Sequence, residues 1–427
     1  MLITRPRGTS DILPGETEQW RIMEKTIHEI CSQYGYREIR TPIFEHTELF
    51  LRGVGETTDI VEKEMYTFLD RGERSITLRP EGTAPTVRAF LENKLYAQAQ
   101  PTKLYYLGPM FRYGRPQTGR LRQFTQFGVE VFGSADPAVD AEVIILAMDF
   151  FQRLGLQNLQ LVLNSVGCPE CRLVHKKLLQ EYLRPRLGGF CPTCHGRFDR
   201  NPLRIFDCKS AACQELLKEA PTITDALCDN CQSHFEQVQA YLDIVQTPYR
   251  VNPLLVRGLD YYTNTAFEVI APGIGAQSAV GGGGRYDGLV EEIGGPSVPG
   301  IGFGLGLERI LLLLKKLNSL PTATRSNGIF LATTGSDVRL LAFQLLHQLR
   351  KEGLMVEMDY LNRSLKSQLK FADKSGFRFV IFLGEEERRL RQINFKDLVT
   401  GEQVSFPLEE VAAGVVRYTR EVLKNNG

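Results

Sequence analysis

From residue 17 to residue 34 the positions Trp20, Met23, Ile27, Ile30, Cys31 and Tyr34 recur at helical spacing, which predicts an amphipathic helix. The stretch GYREIRTPIF that follows reads as a strand ending near Pro42, because proline cannot donate to a ladder. Between 75 and 133 the pattern is mostly strand and loop, interrupted by one short helix, APTVRAFLENKL, in which Val87, Phe90 and Leu91 share a face. In the second strand of a hairpin over 105–133, period two sets Phe124, Gln126, Gly128 and Glu130 on one face. Thr125, Phe127, Val129 and Val131 fall on the other. The stretch 300–317 reads as a strand in which Gly302, Gly304 and Gly306 alternate, followed by a helix burying Ile310, Leu313, Leu314 and Leu317. Residues of about 165–245 are helical in pattern and flanked by strand signals, so they read as an insertion. Beyond the polar run NSLPTATRSNG, strands and helices alternate (GIFLATT, SDVRLLAFQLLHQLRKEG, LMVEMDY, FRFVIFLG), predicting a separate α/β domain of about 100 residues.

Composition narrows the class only slightly. At 427 residues, 43% hydrophobic and 24% charged, the chain is long enough for two or three domains with real cores. Its 51 basic and 50 acidic residues nearly cancel, so any site for a polyanion must be local. The N-terminus is charged and proline-bearing where a signal peptide needs an apolar core, and ILLLLKKL is too short to span a bilayer. These features predict a cytoplasmic protein with no membrane partner. Eight of the nine cysteines lie between Cys168 and Cys231, which argues against a disulfide framework and sets that segment apart.

Three stretches can carry chemistry. Arg115, Arg120 and Arg122 fall in the hairpin loop and Arg112 at the end of its first strand, a cluster expected where planar forks chelate phosphate oxygens; a solvated hairpin is the alternative. In TLRPEGTAPTVRAF, Thr83 is a candidate cap for the helix that follows. Glu81 and Thr83 either hold an ammonium group over the sheet or form an ordinary helix cap with a surface glutamate. The alternating glycines of GIGFGLGLERI leave bare backbone on which a flat ring can lie, with Arg309 on the helix beyond. Neither they nor GGGGRYDGL, which reads as a tight, close-approach turn, match the patterns of a Rossmann or P-loop phosphate site.

Taken in order, RPRGTSDILPGE, TLRPEGTAPTVRAF, FRYGRPQTGRLRQF, VRGLDYYTNTAFEV, GGGGRYDGL and GFGLGLERI resemble the histidyl-tRNA synthetases, a class II aminoacyl-tRNA synthetase family, almost end to end. The resemblance implies an α+β chain: a class II antiparallel-sheet catalytic domain over 1–322 with the helical insertion, then an α/β anticodon-binding domain over 327–427. It implies a homodimer with residues 17–44 in the interface, activation of L-histidine by ATP with Mg²⁺, and transfer of the histidyl group to tRNA(His). By resemblance Arg257, Arg112 and Arg309 are catalytic and bind ATP, Arg257 acting on the α-phosphate. Tyr261 and Tyr262 line the histidine pocket, with Tyr262 and Glu130 facing the imidazole. Glu81, Gly82, Thr83 and Gln126 hold the amino-acid end. Arg115 and Gln117 resemble residues that read the acceptor end of the tRNA.

Two positions depart from the family pattern: Gly114 stands where an acidic residue helps hold the adenine, and Thr125 where a histidine is common. CPEC and CPTC give C-x₂-C-x₁₉-C-x₂-C, within the range of a zinc site, and CKSAAC with CDNC can complete two four-cysteine sites. Reduced, buried thiols are the alternative, and spacing does not fix the pairing. The family's relatives lack these cysteines, so any zinc is expected to be structural and remote from the chemistry. A different class remains open: a catalytically inactive regulatory subunit of ATP phosphoribosyltransferase shares the catalytic fold, although it usually lacks the C-terminal domain and degrades the RGLDYY stretch.

Overall fold

The computed structural model describes residues 2–55, 58, 60–200, 202–206, 208–255, 261–271, 279–317 and 326–424. Two compact units divide the chain, 1–320 and 321–427. The first is built on an eight-stranded sheet in the spatial order Arg37–Glu38, Thr102–Phe111, Gln123–Phe132, Gly300–Gly306, Ala279–Arg285, Thr263–Ile270, Gln160–Ser165, Tyr249–Val251. Neighbours run antiparallel except at the two edges, where Arg37–Glu38 and Tyr249–Val251 pair parallel with their partners.

Period two in the central strands gives the sheet two unlike faces. Phe127, Val129 and Val131 point into the main core with Ile301, Phe303, Leu305 and Phe267. That face is covered by the helix Glu16–Gln33, through Trp20, Met23, Ile27, Ile30 and Cys31, and by the helix Pro137–Arg153. The other face carries Gln126, Gly128 and Glu130, and there the helix Thr83–Glu92 borders an open cleft instead of closing it.

Local expectations fare unevenly. The strand read over GYREIRTPIF shrinks to Arg37–Glu38, a two-residue parallel edge, and Phe44 beyond Pro42 begins a strand of a separate small sheet. GGGGRYDGL is not a turn: Ala279–Arg285 is a central strand, hydrogen-bonded on both sides. A methyl group on Gly283 would collide with the Gly302 carbonyl and with Phe303, so glycine lets neighbouring strands approach there. The helix Leu307–Lys316 buries Ile310, Leu313 and Leu314 as its pattern predicts, but Leu317 lies past its end and is exposed.

The insertion is helical, with Pro169–Leu183, Pro192–Arg200, Ala211–Leu216 and Asp229–Ile244 as its helices. Its last helix is tied down at a buried aspartate. His234 Nε2 lies 2.8 Å from Asp140 Oδ2, and the fully buried Arg285 grips the same carboxylate through Nε and Nη2, at 3.0 and 2.9 Å. Burying such a pair is tolerable only with its hydrogen bonds filled, and Arg285 also donates to the Ser134 carbonyl and to Asp287.

The second unit is a five-stranded sheet in the order Val356–Met358, Ser326–Thr333, Phe377–Leu383, Gln392–Asp397, Gln403–Pro407. The first three strands are parallel, as the alternating pattern predicts, and the last two add an antiparallel pair that the sequence reading did not resolve. Ile329, Leu331, Phe379 and Ile381 pack on helices Arg339–Lys351 and Val411–Lys424.

Candidate active site

A cleft of about 990 Å³ opens over the polar face of the large sheet. Its lining includes Glu81, Thr83, Arg112, Gln126, Tyr261, Tyr262 and Arg309. Seven of the residues singled out from sequence therefore converge, though they come from four separate stretches of chain. Glu130 lies fully buried behind that lining as the cleft's floor, bonded to the lining residues Thr83 and Tyr286, and Gly82 donates its N–H to Gln126 Oε1 at 3.1 Å.

The floor is a buried carboxylate held by hydroxyls. Thr83 Oγ1 donates to Glu130 Oε1 at 2.7 Å, Tyr106 donates to the same oxygen at 3.4 Å, and the Tyr286 hydroxyl donates to Oε2. Burial pushes the Glu130 carboxyl up to about 8, against the lowering effect of the Tyr286 and Thr83 bonds and with a further rise from nearby Glu81. Tyr261 and Tyr262 stack obliquely beside it, ring centroids 4.7 Å apart, and Tyr261 meets Tyr286 edge to face at 5.7 Å. The result is an aromatic box with one strongly polarised acid at its base.

Glycines clear the room for these groups. A methyl on Gly302 would collide with the Glu130 carboxylate, and one on Gly304 with the Gln126 amide. The bare backbone expected to receive a flat ring is thus covered at two of its three positions by neighbouring side chains, and only Gly306 faces open space.

Thr83 does not cap its helix. The Glu81 carboxylate does so, accepting from the Thr83 N–H at 2.7 Å and the Ala84 N–H at 2.8 Å, which frees the Thr83 hydroxyl for Glu130. Glu81 is almost fully buried, so it is neither a surface glutamate nor an uncommitted one, and burial raises its pKa despite those bonds and nearby Arg112. Arg112 is steadied by donating Nε to the Pro80 carbonyl at 2.7 Å, with its guanidinium over the Phe124 ring. Arg309 donates to the carbonyls of Gly119 and Ala279, at 3.1 and 2.8 Å. Arg115 and Gln117 are exposed in the hairpin connection, where Gln117 closes a turn with Arg120. Arg257 lies outside the described residues.

Sequence reasoning passed over four contributors. Tyr106 lies in the hairpin and Tyr286 in GGGGRYDGL, but neither residue was singled out there, and both enter through their contacts with Glu130. Glu308 lines the cleft, accepts from the Thr125 N–H at 2.7 Å, and is pushed up to about 7 by burial. Glu64 answers the departure at Gly114. Its Oε1 lies 3.2 Å from where a Cβ on Gly114 would sit; it pairs with Arg120 and supports the charge of Arg112. A carboxylate from fifty positions earlier in the chain thus lies beside the position where the family pattern carries an acid.

The eight clustered cysteines gather into two groups, Cys168, Cys171, Cys228 and Cys231 in one and Cys191, Cys194, Cys208 and Cys213 in the other, each with sulfurs within 4.8 Å of one another. The pairing is nested, the second group lying wholly inside the loop closed by the first, so CPEC and CPTC do not share a site. Nor is the inner group remote from the cleft, whose lining includes Cys191 and Cys208 beside Arg197, Arg204 and Lys209.

Comparison with known proteins agrees with the geometry. The histidyl-tRNA synthetase profile matches residues 8–180 and 207–310, and an anticodon binding domain profile matches 329–418. The chain is 62% identical over 411 residues to the histidine–tRNA ligase of Desulforamulus reducens, covering 96% of this chain and 98% of that protein. It is 60% identical over 427 residues to that of Moorella thermoacetica, covering all of both. Among solved structures, the apo histidyl-tRNA synthetase of S. aureus superposes with a TM-score of 0.83 at 42% identity, covering 97% of this chain and all of that one. An antiparallel sheet with parallel edges, a polar cleft floored by Glu130 and end-to-end relatives lead to one conclusion: the chain belongs to the histidyl-tRNA synthetase family, within the class II aminoacyl-tRNA synthetases.

Proposed function

We propose that the chain is a histidine–tRNA ligase: it activates L-histidine with ATP to histidyl-adenylate and diphosphate, then transfers the histidyl group to the 3′ end of tRNA(His). The observation that carries this reading is the Glu130 carboxyl, buried behind a cleft lined by Tyr261 and Tyr262 and held by Thr83, Tyr106 and Tyr286. An imidazole is the amino-acid side chain that can occupy such a floor with one ring nitrogen bonded to an acid and the other to a phenol. Apolar side chains of similar size would leave those groups unpaired, a discrimination worth a factor of about 10⁴ or more.

In this scheme Glu130 and Tyr262 take the ring, Tyr261 closes the pocket, and Glu81, Gly82, Thr83 and Gln126 hold the amino-acid end. Arg112 and Arg309 clamp the ATP phosphates together with Mg²⁺, and Arg257 acts on charge building at the α-phosphate, where a fixed cation stabilises an in-line displacement. Glu64 supplies the acid near the adenine that Gly114 lacks. The exposed Arg115 and Gln117 meet the acceptor end of the tRNA, and residues 329–418 its anticodon. Structural zinc belongs with the cysteine groups and takes no part in the chemistry. We place the two domains at 1–322 and 327–427, close to the division into compact units at 320 and 321.

The active form is a homodimer. Ile43, Phe44, Phe68 and Leu69 are exposed apolar residues on and beside the small sheet formed by Phe44–His46, Ser75–Leu78 and Tyr66–Leu69, and a second copy would cover them. The enzyme works in the cytoplasm; among the described residues no helix is long and apolar enough to cross a membrane. The regulatory-subunit reading is disfavoured by the C-terminal domain and by full-length ligase relatives.

Amino-acid-dependent pyrophosphate exchange with ATP, run across all twenty amino acids, tests the proposal. Exchange with histidine alone is expected. Folded protein that binds histidine but supports no exchange would return the inactive-subunit reading.

A further inference from the structure

The insertion builds its small cores partly from cysteine. Its larger core group contains Cys194, Cys208 and Cys213 among ten buried residues, and its smaller one is Cys171, Ile223 and Cys231. All eight cysteines are free thiols, and none is close enough to another for a disulfide, whose sulfurs stand about 2.05 Å apart. Four thiols packed against one another are poor mutual partners, being weak donors and weak acceptors.

Their geometry fits something else. Zinc binds thiolate at about 2.3 Å, so four sulfurs at the corners of a tetrahedron stand about 3.8 Å apart. Cys168 and Cys171 are 3.5 Å apart, Cys191 and Cys208 3.8 Å, and within each group no separation exceeds 4.8 Å.

The backbone is arranged for charged sulfur. The Cys228 N–H donates to Cys171 Sγ at 3.1 Å and the Cys191 N–H to Cys213 Sγ at 3.3 Å, bonds that strengthen when the acceptor is a thiolate. Cys168, Cys191 and Cys228 each begin a helix, their carbonyls accepting the first helical bonds, from Arg172, His195 and Gln232. Both sulfurs of each C-x-x-C therefore lie at a positive helix end. The family profile passes over residues 181–206, so Cys191 and Cys194 belong to a segment that the family description does not cover.

We propose that the insertion binds two structural zinc ions, one held by Cys168, Cys171, Cys228 and Cys231, the other by Cys191, Cys194, Cys208 and Cys213. The outer ion staples the first and last helices of the insertion beside the sheet. The inner ion holds the turn carrying Lys209 and Ser210 against the helix carrying Arg197, where both border the catalytic cleft. Each ion is closed by four protein ligands and leaves no position for substrate.

The test is metal content, measured by mass spectrometry on full-length protein purified without chelator. The expected result is about two zinc per chain, released by a mercurial reagent as eight thiols are titrated. Nesting is read from paired substitutions. Cys168→Ser with Cys231→Ser removes one zinc, and Cys191→Ser with Cys213→Ser removes the other. Cys168→Ser with Cys194→Ser, which strikes both sites, removes both. Retention of one zinc by that last pair would mean that CPEC and CPTC share an ion and would overturn the assignment. So would less than about a tenth of an equivalent of zinc in the unsubstituted protein, or iron at the same stoichiometry. The unsubstituted measurement stands even where a variant does not fold.

Discussion

The histidine pocket and the cysteine-rich insertion share one cleft but are held in shape by opposite means. The pocket rests on a sheet whose far face is packed with Phe127, Val129, Phe150, Ile301 and Phe303, so the core carries the cost of burying the Glu130 carboxyl and the hydroxyls that bond it. The insertion is small, and five of the thirteen buried residues in its two core groups are cysteines whose thiols need an ion to become a framework. Rigidity needed for chemistry thus comes from secondary structure in one region and from coordination in the other, and each should fail under a treatment that spares its neighbour.

The largest effect is expected at the pocket floor. Glu130→Ala removes the acid while leaving the glycine-lined sheet intact, and kcat/KM for histidine in pyrophosphate exchange should fall by about 10³ or more, with KM sharing the loss. The variant should keep its full complement of zinc. Arg257→Ala should fall by about 10² or more in adenylate formation with histidine binding nearly unchanged, because its partner is charge that develops only during reaction. Equal losses in binding and rate for Arg257→Ala would remove it from that role.

Stripping the metal gives the converse. A mercurial reagent followed by chelator should lower the temperature at which the insertion becomes protease-sensitive, yet reduce pyrophosphate exchange only about threefold, through the displaced Arg197, Arg204 and Lys209. Loss of exchange by a hundredfold would show that pocket and insertion are one unit and end the contrast.

Between these lies Glu64, which shows how far the site was legible from sequence. Motifs named the cleft well, because Glu81, Thr83, Arg112, Gln126, Tyr261, Tyr262 and Arg309 each sit in a stretch with local pattern. What was missed depends on contacts across the chain. Four consecutive glycines give no hydrophobic period, so the strand Ala279–Arg285 read as a turn and Tyr286 beyond it went unnoticed. Nested and sequential cysteine pairings have the same spacings, so only the fold chooses between them. Gly114 looked like a lost carboxylate because nothing in sequence brings Glu64 to within 3.2 Å of the space above it. Glu64→Ala should therefore raise KM for ATP by about tenfold and leave KM for histidine within about twofold, as expected for one lost charged contact. An unchanged KM for ATP would mean that Glu64 serves only to position Arg120.

The smallest effect is on stability and follows from the raised pKa of Glu130. Its carboxyl ionises near 8 in the fold and near the ordinary value of about 4.3 in the unfolded chain. Between those limits the folded state carries a proton that the unfolded state has lost, so the contribution is complete below pH 4.3 and declines as pH rises through 8. Glu130→Gln keeps the shape and removes the titration. Its melting temperature relative to the unsubstituted protein should climb from pH 5 to pH 8, by on the order of a few degrees, and level off above. Scanning fluorimetry in matched buffers without histidine reads the difference directly. A flat difference for Glu130→Gln would mean that the floor is ionised throughout, held by Tyr286 and Thr83 strongly enough to offset its burial, and the pocket would then meet histidine as a fixed anion.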